Sequence, residues 1–111
     1  MFDEKWNEYA KTWSRPGNER DAILANLVSD DVVYTDPNTQ VFGRSGFSAH
    51  MAQFQDNVPG GYFEIIDVKG HHNQTLARWR LCGKDGNEMM QGTSHASLSE
   101  GGMFTSFSGF F

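Results

Sequence analysis

The chain has 111 residues and a net charge of −5, with nine Lys and Arg against fourteen Asp and Glu. Its basic residues are scattered and no apolar run approaches the roughly 20 residues of a membrane span, so we expect neither a nucleic-acid partner nor membrane association. The length predicts one domain over residues 1–111. A single cysteine, Cys82, and an N-terminus unlike a signal peptide predict a cytoplasmic protein.

Aromatic residues define the first predicted element, and in the whole chain they outnumber Val, Ile and Leu together. Near the N-terminus they recur every three or four residues, as on one face of a helix: Phe2, Trp6, Tyr9 and Trp13. We expect this helix to end at Pro16 and Gly17, after which Asn18 caps a second helix. The acidic segment 29–31 is expected to close the second helix.

A short strand is predicted over residues 32–35, which are β-branched and aromatic. It leads into residues 36–38, Asp-Pro-Asn, which are a turn signal. Ser45 is expected to cap a third helix, which ends at the segment Pro59-Gly60-Gly61. Its apolar face contains four side chains with helical spacing: Phe47, His50, Met51 and Phe54.

The second half of the chain is predicted to consist of strands. It contains four segments rich in β-branched and aromatic residues that are separated by turn signals: residues 62–70, 75–82, 88–99 and 103–110. Alternation places Trp79 on one face of its strand, with Arg78 and Arg80 on the other. On the next strand, Met90 and Ser94 share the inward face. Helices therefore come first along the chain and an antiparallel meander follows, which is the arrangement of the α+β class.

A curved sheet covered on one side by helices forms a half-open cone, whose interior offers a ligand cavity. Asp36 ends the first strand at this interior, so its carboxylate could serve as a general base; the alternative is that Asp-Pro only starts a turn. Tyr9 could donate its hydroxyl to a developing oxyanion, or could be an ordinary core tyrosine. Ser94 could act as a hydrogen-bond donor in the same cavity.

Metal-binding and nucleophilic chemistry are not indicated. His71 and His72 are neighbours near the end of a predicted strand, so their side chains should point to opposite faces, and His95 lies on another strand. No Cys or carboxylate completes the spacing of a zinc or iron site with them. Ser94 lacks the Gly-x-Ser-x-Gly elbow of serine hydrolases, and Cys82 has the character of a small buried residue. We therefore expect neither a metal nor another cofactor.

The run SDDVVYTDP at residues 29–37, followed by FGRSG at residues 42–46, resembles the nuclear transport factor 2-like superfamily. Within it, the chain is most similar to the SnoaL-like polyketide cyclases and the ketosteroid isomerases. The aromatic first helix and the turn over residues 99–103 fit the same families. The resemblance implies a cystatin-like cone, in which three helices from the first half pack against a curved, mainly antiparallel sheet. It also implies a homodimer.

The resemblance further suggests site residues. Asp36 with Pro37 matches the general base of the ketosteroid isomerases, and Tyr9 matches the tyrosine of their oxyanion hole. Their second oxyanion donor is a protonated aspartic acid followed by His, and here Ser94 with His95 takes that place. The replacement removes a strong donor, which makes classical steroid isomerisation doubtful and leaves room for a different chemistry.

Two functions are compatible with these observations. In the first, the protein is an isomerase or cyclase that uses Asp36 as general base on a small apolar carbonyl ligand, with Tyr9 and Ser94 polarising the ligand oxygen. The predicted ligand contacts are Trp6, Trp13, Tyr34, His50, Phe54, Trp79 and Met90. In the alternative, it is a non-catalytic domain that binds a hydrophobic ligand or dimerises through the outer sheet face. Epoxide hydrolysis by an Asp-Arg-Asp set, known in this fold, is disfavoured because the strand arginines face outward.

Overall fold

Three α-helices pack against one six-stranded sheet in the structure, a computed structural model that describes residues 1–111. The helices are α1 (Phe2–Lys11), α2 (Gly17–Leu27) and α3 (Gly43–Asn57), and a 3-10 turn spans Thr12–Ser14. The strands are β1 (Val28–Asp36), β2 (Thr39–Phe42), β3 (Tyr62–His71), β4 (Gln74–Cys82), β5 (Glu88–Leu98) and β6 (Phe104–Phe110). None of the helices is both long and apolar enough to cross a membrane.

The sheet is mixed, with the strand order β2-β1-β6-β5-β4-β3. Strands β3 to β6 form the predicted antiparallel meander, whereas β1 pairs in parallel with β6 and antiparallel with β2. Register shifts interrupt every pairing except that of β1 with β2, and such bulges increase the local twist and bend a sheet. The predicted α+β class with a mainly antiparallel sheet is confirmed.

The boundaries of α2 correct two expectations. The helix begins at Gly17 with Pro16 in the cap position, and not at Asn18, because Pro16 has the extended φ and ψ (−60° and 157°) that a cap residue requires. Residues 29–31 belong to β1 and do not close α2. Both aspartates of this segment are exposed, beside the register shift between β1 and β6, so their charges stay in water.

The region after Asp36 also differs from the sequence-based expectation. Strand β2 is not predicted, because four residues are too few for an alternating pattern to stand out; it pairs antiparallel with β1. Helix α3 begins at Gly43, and its cap position is occupied by Phe42, three residues before the expected cap Ser45. The resulting β1–β2 hairpin places Asp36 at its turn and leads directly into α3.

The aromatic face of α1 packs into the core of the protein. The ring of Tyr9 stacks on Phe107 with 4.3 Å between centroids, and the ring of Trp6 lies 5.3 Å from that of Phe104. Trp6 also donates its indole N–H to Thr75 Oγ1 over 3.0 Å. Phe104 and Phe107 are both buried although they are three residues apart on one strand, because register shifts on both sides of β6 bring both rings to the inner face.

Candidate functional site

A cavity of about 390 Å³ lies between α1, α3 and the inner face of the sheet. Nineteen residues line it, and thirteen of these are hydrophobic. All ten residues that the sequence assigns to the site are among them: Trp6, Tyr9, Trp13, Tyr34, Asp36, His50, Phe54, Trp79, Met90 and Ser94. The inward faces inferred from helix and strand periodicity therefore meet at one cavity.

Asp36, the last residue of β1, has a different partner on each carboxylate oxygen. Oδ1 accepts the backbone N–H groups of Asn38 at 2.8 Å and Thr39 at 3.1 Å, which form the hairpin turn. Oδ2 accepts the hydroxyl of Tyr34 at 2.7 Å. The side chain is only 8% exposed. Because a carboxylate has about four acceptor positions, these three bonds leave about one, on Oδ2, for a ligand or a proton.

His50 on α3 is the one basic side chain that lies near that oxygen. Its Nε2 lies 4.0 Å from Asp36 Oδ2, which is longer than a hydrogen bond, and its side chain is 23% exposed. The imidazole packs edge-on against Trp13 at 5.7 Å between centroids and lies 5.5 Å from the ring of Tyr34. These contacts fix the ring beside the carboxylate at the more open side of the site.

Two tyrosine hydroxyls of the cavity, those of Tyr34 and Tyr9, stay protonated at neutral pH and can donate hydrogen bonds. Burial raises the pKa of Tyr34 well above its usual value, and the neighbouring Tyr9 and the hydrogen bond to the Asp36 carboxylate raise it further. Burial likewise raises the pKa of Tyr9; a hydrogen bond with Trp13 opposes this effect without cancelling it, and the negative charge of Asp36 adds to it. Tyr34 donates to the carboxylate, whereas Tyr9 lines the same cavity from α1.

Ser94 on β5 is held by its cross-strand neighbours. The indole N–H of Trp79 donates to Ser94 Oγ over 3.0 Å, so the serine keeps its own proton to donate elsewhere. Trp79 can take this position because its ring lies across Gly92, its partner residue on β5. A Cβ atom at Gly92 would come within 2.3 Å of the Trp79 ring, which no side chain could tolerate without displacing the indole.

Gly109 on β6 separates Ser94 from Asp36. A Cβ atom at Gly109 would lie 3.6 Å from Asp36 Cβ and 3.6 Å from Ser94 Oγ. The side chains of β1 and β5 thus approach each other over a glycine, and the space between them is kept free of any side chain from β6. The structure brings Asp36 and Ser94 together as neighbours on one part of the cavity floor.

Nine further lining residues were not singled out by the sequence reasoning: Ala10, Asn38, Gln53, Asn57, Val58, Phe63, Ile65, Leu81 and Phe111. Part of the signal was present. Gln53 and Asn57 follow His50 at i+3 and i+7 on α3, and Leu81 shares the inward phase of Trp79 on β4. The position of Phe111, whose ring lies 5.9 Å from that of Trp79, depends on how β6 ends and has no local signal.

Asp36 is the only Asp, Glu, Lys or Arg residue that lines the cavity. The arginines of β4 face outward, as the alternation predicts, and form ion pairs on the outer face: Arg78 with Asp67 at 3.2 Å and Arg80 with Glu64. No arginine therefore stands beside Asp36, as the Asp-Arg-Asp set of an epoxide hydrolase would require. The cavity is apolar, with one anionic group and a few uncharged polar groups.

The histidines outside the cavity form no metal centre, and no group of three or more His, Cys, Asp or Glu is arranged to hold a metal ion. His71 and His72 do not point to opposite faces. Their Nδ1 atoms lie 3.1 Å apart, because His72 adopts a positive φ of 54° in the turn after β3. His95 contacts Gln74 on the outer face.

Comparisons with known proteins agree with this architecture. Residues 8–107 match the family model of the SnoaL-like domain. A SnoaL-like family protein from Agrobacterium tumefaciens, provisionally assigned as an isomerase, is 27% identical to this chain, with a TM-score of 0.91 over 96% of this chain and 93% of that one. No curated protein matches the chain in sequence.

Two more distant structures share the fold. A protein from Sinorhizobium meliloti, provisionally assigned as a polyketide cyclase, is 14% identical, with a TM-score of 0.77 over 96% of this chain and 93% of its own. A nuclear transport factor 2-like protein from Cytophaga hutchinsonii is 11% identical, with a TM-score of 0.74 over 100% of this chain and 89% of its own. Since the family match spans nearly the whole chain and the structural likeness extends over the same elements, this protein belongs to the SnoaL-like domain family of the nuclear transport factor 2-like superfamily.

Proposed function

We propose that the protein is an isomerase or cyclase that removes a proton next to the carbonyl group of a small, largely apolar ligand, with Asp36 as the general base. The observation that carries this proposal is the Asp36 carboxylate: it is nearly buried, it faces an aromatic cavity, and it has one acceptor position left on Oδ2. A general base must reach the proton that it abstracts at about 3 Å, and a ligand bound in the cavity could approach a carboxylate in its wall to that distance.

The chemistry follows from the neighbours of Asp36. Oδ2 takes a proton from the carbon next to the carbonyl, and the electron pair of the broken C–H bond moves into an enolate. The hydroxyls of Ser94 and Tyr9 would donate to the enolate oxygen, which has most effect in a site that excludes water. Return of the proton to a different carbon completes an isomerisation. In a cyclisation, the enolate carbon instead forms a C–C bond with a second carbonyl group, and the resulting alkoxide takes the proton back from Asp36.

The cavity also limits the ligand. A volume of about 390 Å³ is near the lower end of the range for small-molecule sites and suits a compound of one to a few rings. No Lys or Arg lines the cavity and its one formal charge is negative, so a carboxylate or phosphate group on the ligand would be buried without a counter-ion. We therefore expect an uncharged ketone.

The test compares wild-type protein with the Asp36→Asn variant in deuterium oxide. Exchange of the acidic α-hydrogens of 2-tetralone and of a bicyclic β,γ-unsaturated ketone is followed by proton NMR. We expect Asp36→Asn to slow exchange by about 100-fold or more, the usual contribution of a general base. Asp30→Asn is the matched control, since Asp30 lies on the same strand but is exposed. Equal α-hydrogen exchange rates for wild type and Asp36→Asn would contradict the catalytic proposal.

The second candidate is a non-catalytic domain that binds a hydrophobic ligand. It is favoured by one observation: where ketosteroid isomerases have an acid, this chain has Ser94, whose oxygen is occupied by the Trp79 N–H. Quenching of tryptophan fluorescence by 2-tetralone without any α-hydrogen exchange in the wild-type protein would support this candidate over the enzyme.

We also propose that the protein is a single domain that works as a cytoplasmic homodimer. Leu76 and Phe110 support a dimer contact, because both are exposed and face outward on the sheet, at 42% and 62% exposure. Cys82, the one cysteine, is unpaired and buried, as suits a reducing compartment. Sedimentation analysis of the wild type and of Phe110→Ser tests the dimer: a monomeric wild type contradicts it.

A further inference from the structure

We propose that His50 is a proton relay that acts through Asp36: it receives the proton that Asp36 removes from the ligand and exchanges it with solvent. This inference rests on the proposed function of Asp36 and adds a route for the proton. Without such a route, the proton stays on the carboxylate until it returns to the same ligand molecule.

The geometry of the pair carries the argument. Nε2 of His50 lies 4.0 Å from Oδ2 of Asp36, the oxygen with the open acceptor position. The two side chains differ in exposure, 23% for His50 and 8% for Asp36, so the imidazole is the member of the pair in better contact with solvent. A separation of 4.0 Å requires a shift of about 1 Å to reach hydrogen-bond length, which is the tightening commonly seen when a catalytic site binds its ligand.

Among the side chains that line the cavity, only His50 is a base that can take up this proton. The backbone N–H groups of Asn38 and Thr39 on Oδ1 are donors, and so is the Tyr34 hydroxyl on Oδ2. From the 3-10 turn, the indole of Trp13 packs against His50 without an ionisable group. The other polar groups of α3 and β5 that line the cavity are amides and a serine, and Tyr9 on α1 is a buried phenol. Histidine is the side chain whose charge changes between pH 5 and 8.

The transfer is balanced in two steps. First, Asp36 Oδ2 forms an O–H bond as the ligand C–H bond breaks, and the freed electron pair stays on the ligand as an enolate. Second, the O–H bond breaks and neutral His50 forms an Nε2–H bond, which leaves a carboxylate beside an imidazolium. The mutual attraction of these two charges favours the second step. The imidazolium then loses a proton to solvent or returns one through Asp36 to the ligand.

This route predicts where the label goes when the reaction runs in deuterium oxide. With His50 present, the abstracted proton is exchanged for a deuteron, so the γ-carbon of an isomerised product carries deuterium. Without His50, the proton stays on Asp36 and returns to the ligand as protium. A side chain with a merely structural role could change the rate, but it would not change the ratio of deuterium to protium at the product γ-carbon.

The experiment isomerises a bicyclic β,γ-unsaturated ketone in deuterium oxide and measures the deuterium content at the product γ-carbon at low conversion by mass spectrometry and NMR. The His50→Phe variant keeps an aromatic ring against Trp13, and His50→Gln keeps a polar group that cannot be protonated. We expect both to lower the deuterium fraction at least about threefold relative to wild type, because only imidazole can hold the proton. His95→Phe, a histidine variant on the outer face, is the control and should match the wild type.

The outcomes separate the two proposals. Turnover by the wild type with an unchanged deuterium fraction in His50→Gln and His50→Phe overturns the proton route and leaves Asp36 as the base. Absence of turnover and of α-hydrogen exchange in the wild type overturns the function of Asp36, and the proton route with it. Circular dichroism shows whether each variant is folded, and a folded His50→Gln is sufficient for the decision if His50→Phe does not fold.

Discussion

Gly109 offers the sharpest structural perturbation of the site, because a single methyl group can be added between Asp36 and Ser94. In Gly109→Ala the new Cβ lies 3.6 Å from Asp36 Cβ and from Ser94 Oγ, and 3.8 Å from the carbonyl oxygen of Thr35. These are ordinary van der Waals distances, and the backbone φ at Gly109 is not in the left-handed region. The variant should therefore fold with the site intact except for the added group.

The expected effects on stability and on function have different sizes. Replacement of an unstrained glycine by alanine stabilises a protein by about 0.4–1 kcal/mol through the unfolded chain, so the free energy of unfolding should stay equal or rise slightly. In contrast, a methyl group between the base and Ser94 displaces any ligand that contacts both. A displacement of about 1 Å costs on the order of 100-fold in rate, so we expect a 10- to 100-fold loss of α-hydrogen exchange.

Urea denaturation and NMR exchange of 2-tetralone measure these two quantities on the same samples. Gly46→Ala is the matched control, because a Cβ at Gly46 on α3 has no neighbour within 4 Å. It should raise stability by up to about 1 kcal/mol and leave exchange unchanged. If Gly109→Ala is as stable as expected and exchanges as fast as wild type, then no ligand occupies the space between Asp36 and Ser94, and the proposed role of Ser94 is wrong.

Three further predictions use other contacts of the same region. Gly92→Ala should destabilise the protein by about 1–3 kcal/mol in urea denaturation, because its Cβ would collide with the Trp79 ring at 2.3 Å; unchanged stability would contradict the packing described. Tyr34→Phe removes a hydrogen bond to a charged group and should cost about 1.5–3 kcal/mol of stability and reduce exchange, with Asp36 freer to move. Alkaline titration at 295 nm should show that Tyr9 and Tyr34 do not ionise before the protein unfolds, because burial raises their folded-state pKa values. Their contribution to stability is present below the unfolded-state pKa near 10 and is lost progressively as the pH rises above it. Ionisation of Tyr9 and Tyr34 together with Tyr62, before unfolding, would refute the burial.

The sequence allowed the faces of the elements to be predicted because these depend on local periodicity. The helical spacing of Trp6 and Tyr9 and the alternation of Trp79 on β4 each predict an inward direction, and the fold requires all inward directions to meet. Element boundaries were less predictable. Pro16 caps α2 through its backbone angles and forms no side-chain cap, and the four residues of β2 are strand because the turn at Asp36 presents them to β1.

Contacts between distant elements could not be predicted from the sequence. The approach of His50 to Asp36 depends on where α3 lies relative to the end of β1, and no pattern within either element encodes that distance. The bond from Trp79 to Ser94 likewise requires the pairing register of β4 with β5, in which Trp79 faces Gly92. Polar contacts across a site arise from tertiary packing, which periodicity constrains in direction but not in position.

Asp36 shows why the sequence left two interpretations open, since each of its carboxylate oxygens is compatible with one of them. Oδ1 accepts the two backbone N–H groups of the turn that an Asp-Pro dipeptide predicts, whereas Oδ2 keeps the free acceptor position that the proposed base requires. The two roles can be separated chemically, because Asp36→Asn retains a carbonyl oxygen for the turn but places an NH2 group where Oδ2 accepts the Tyr34 hydroxyl. Asp36→Ala removes both oxygens. Asp36→Asn is therefore the variant expected to keep the hairpin while it removes the proposed base, and the difference in free energy of unfolding between Asp36→Asn and Asp36→Ala measures what the turn hydrogen bonds contribute to the fold.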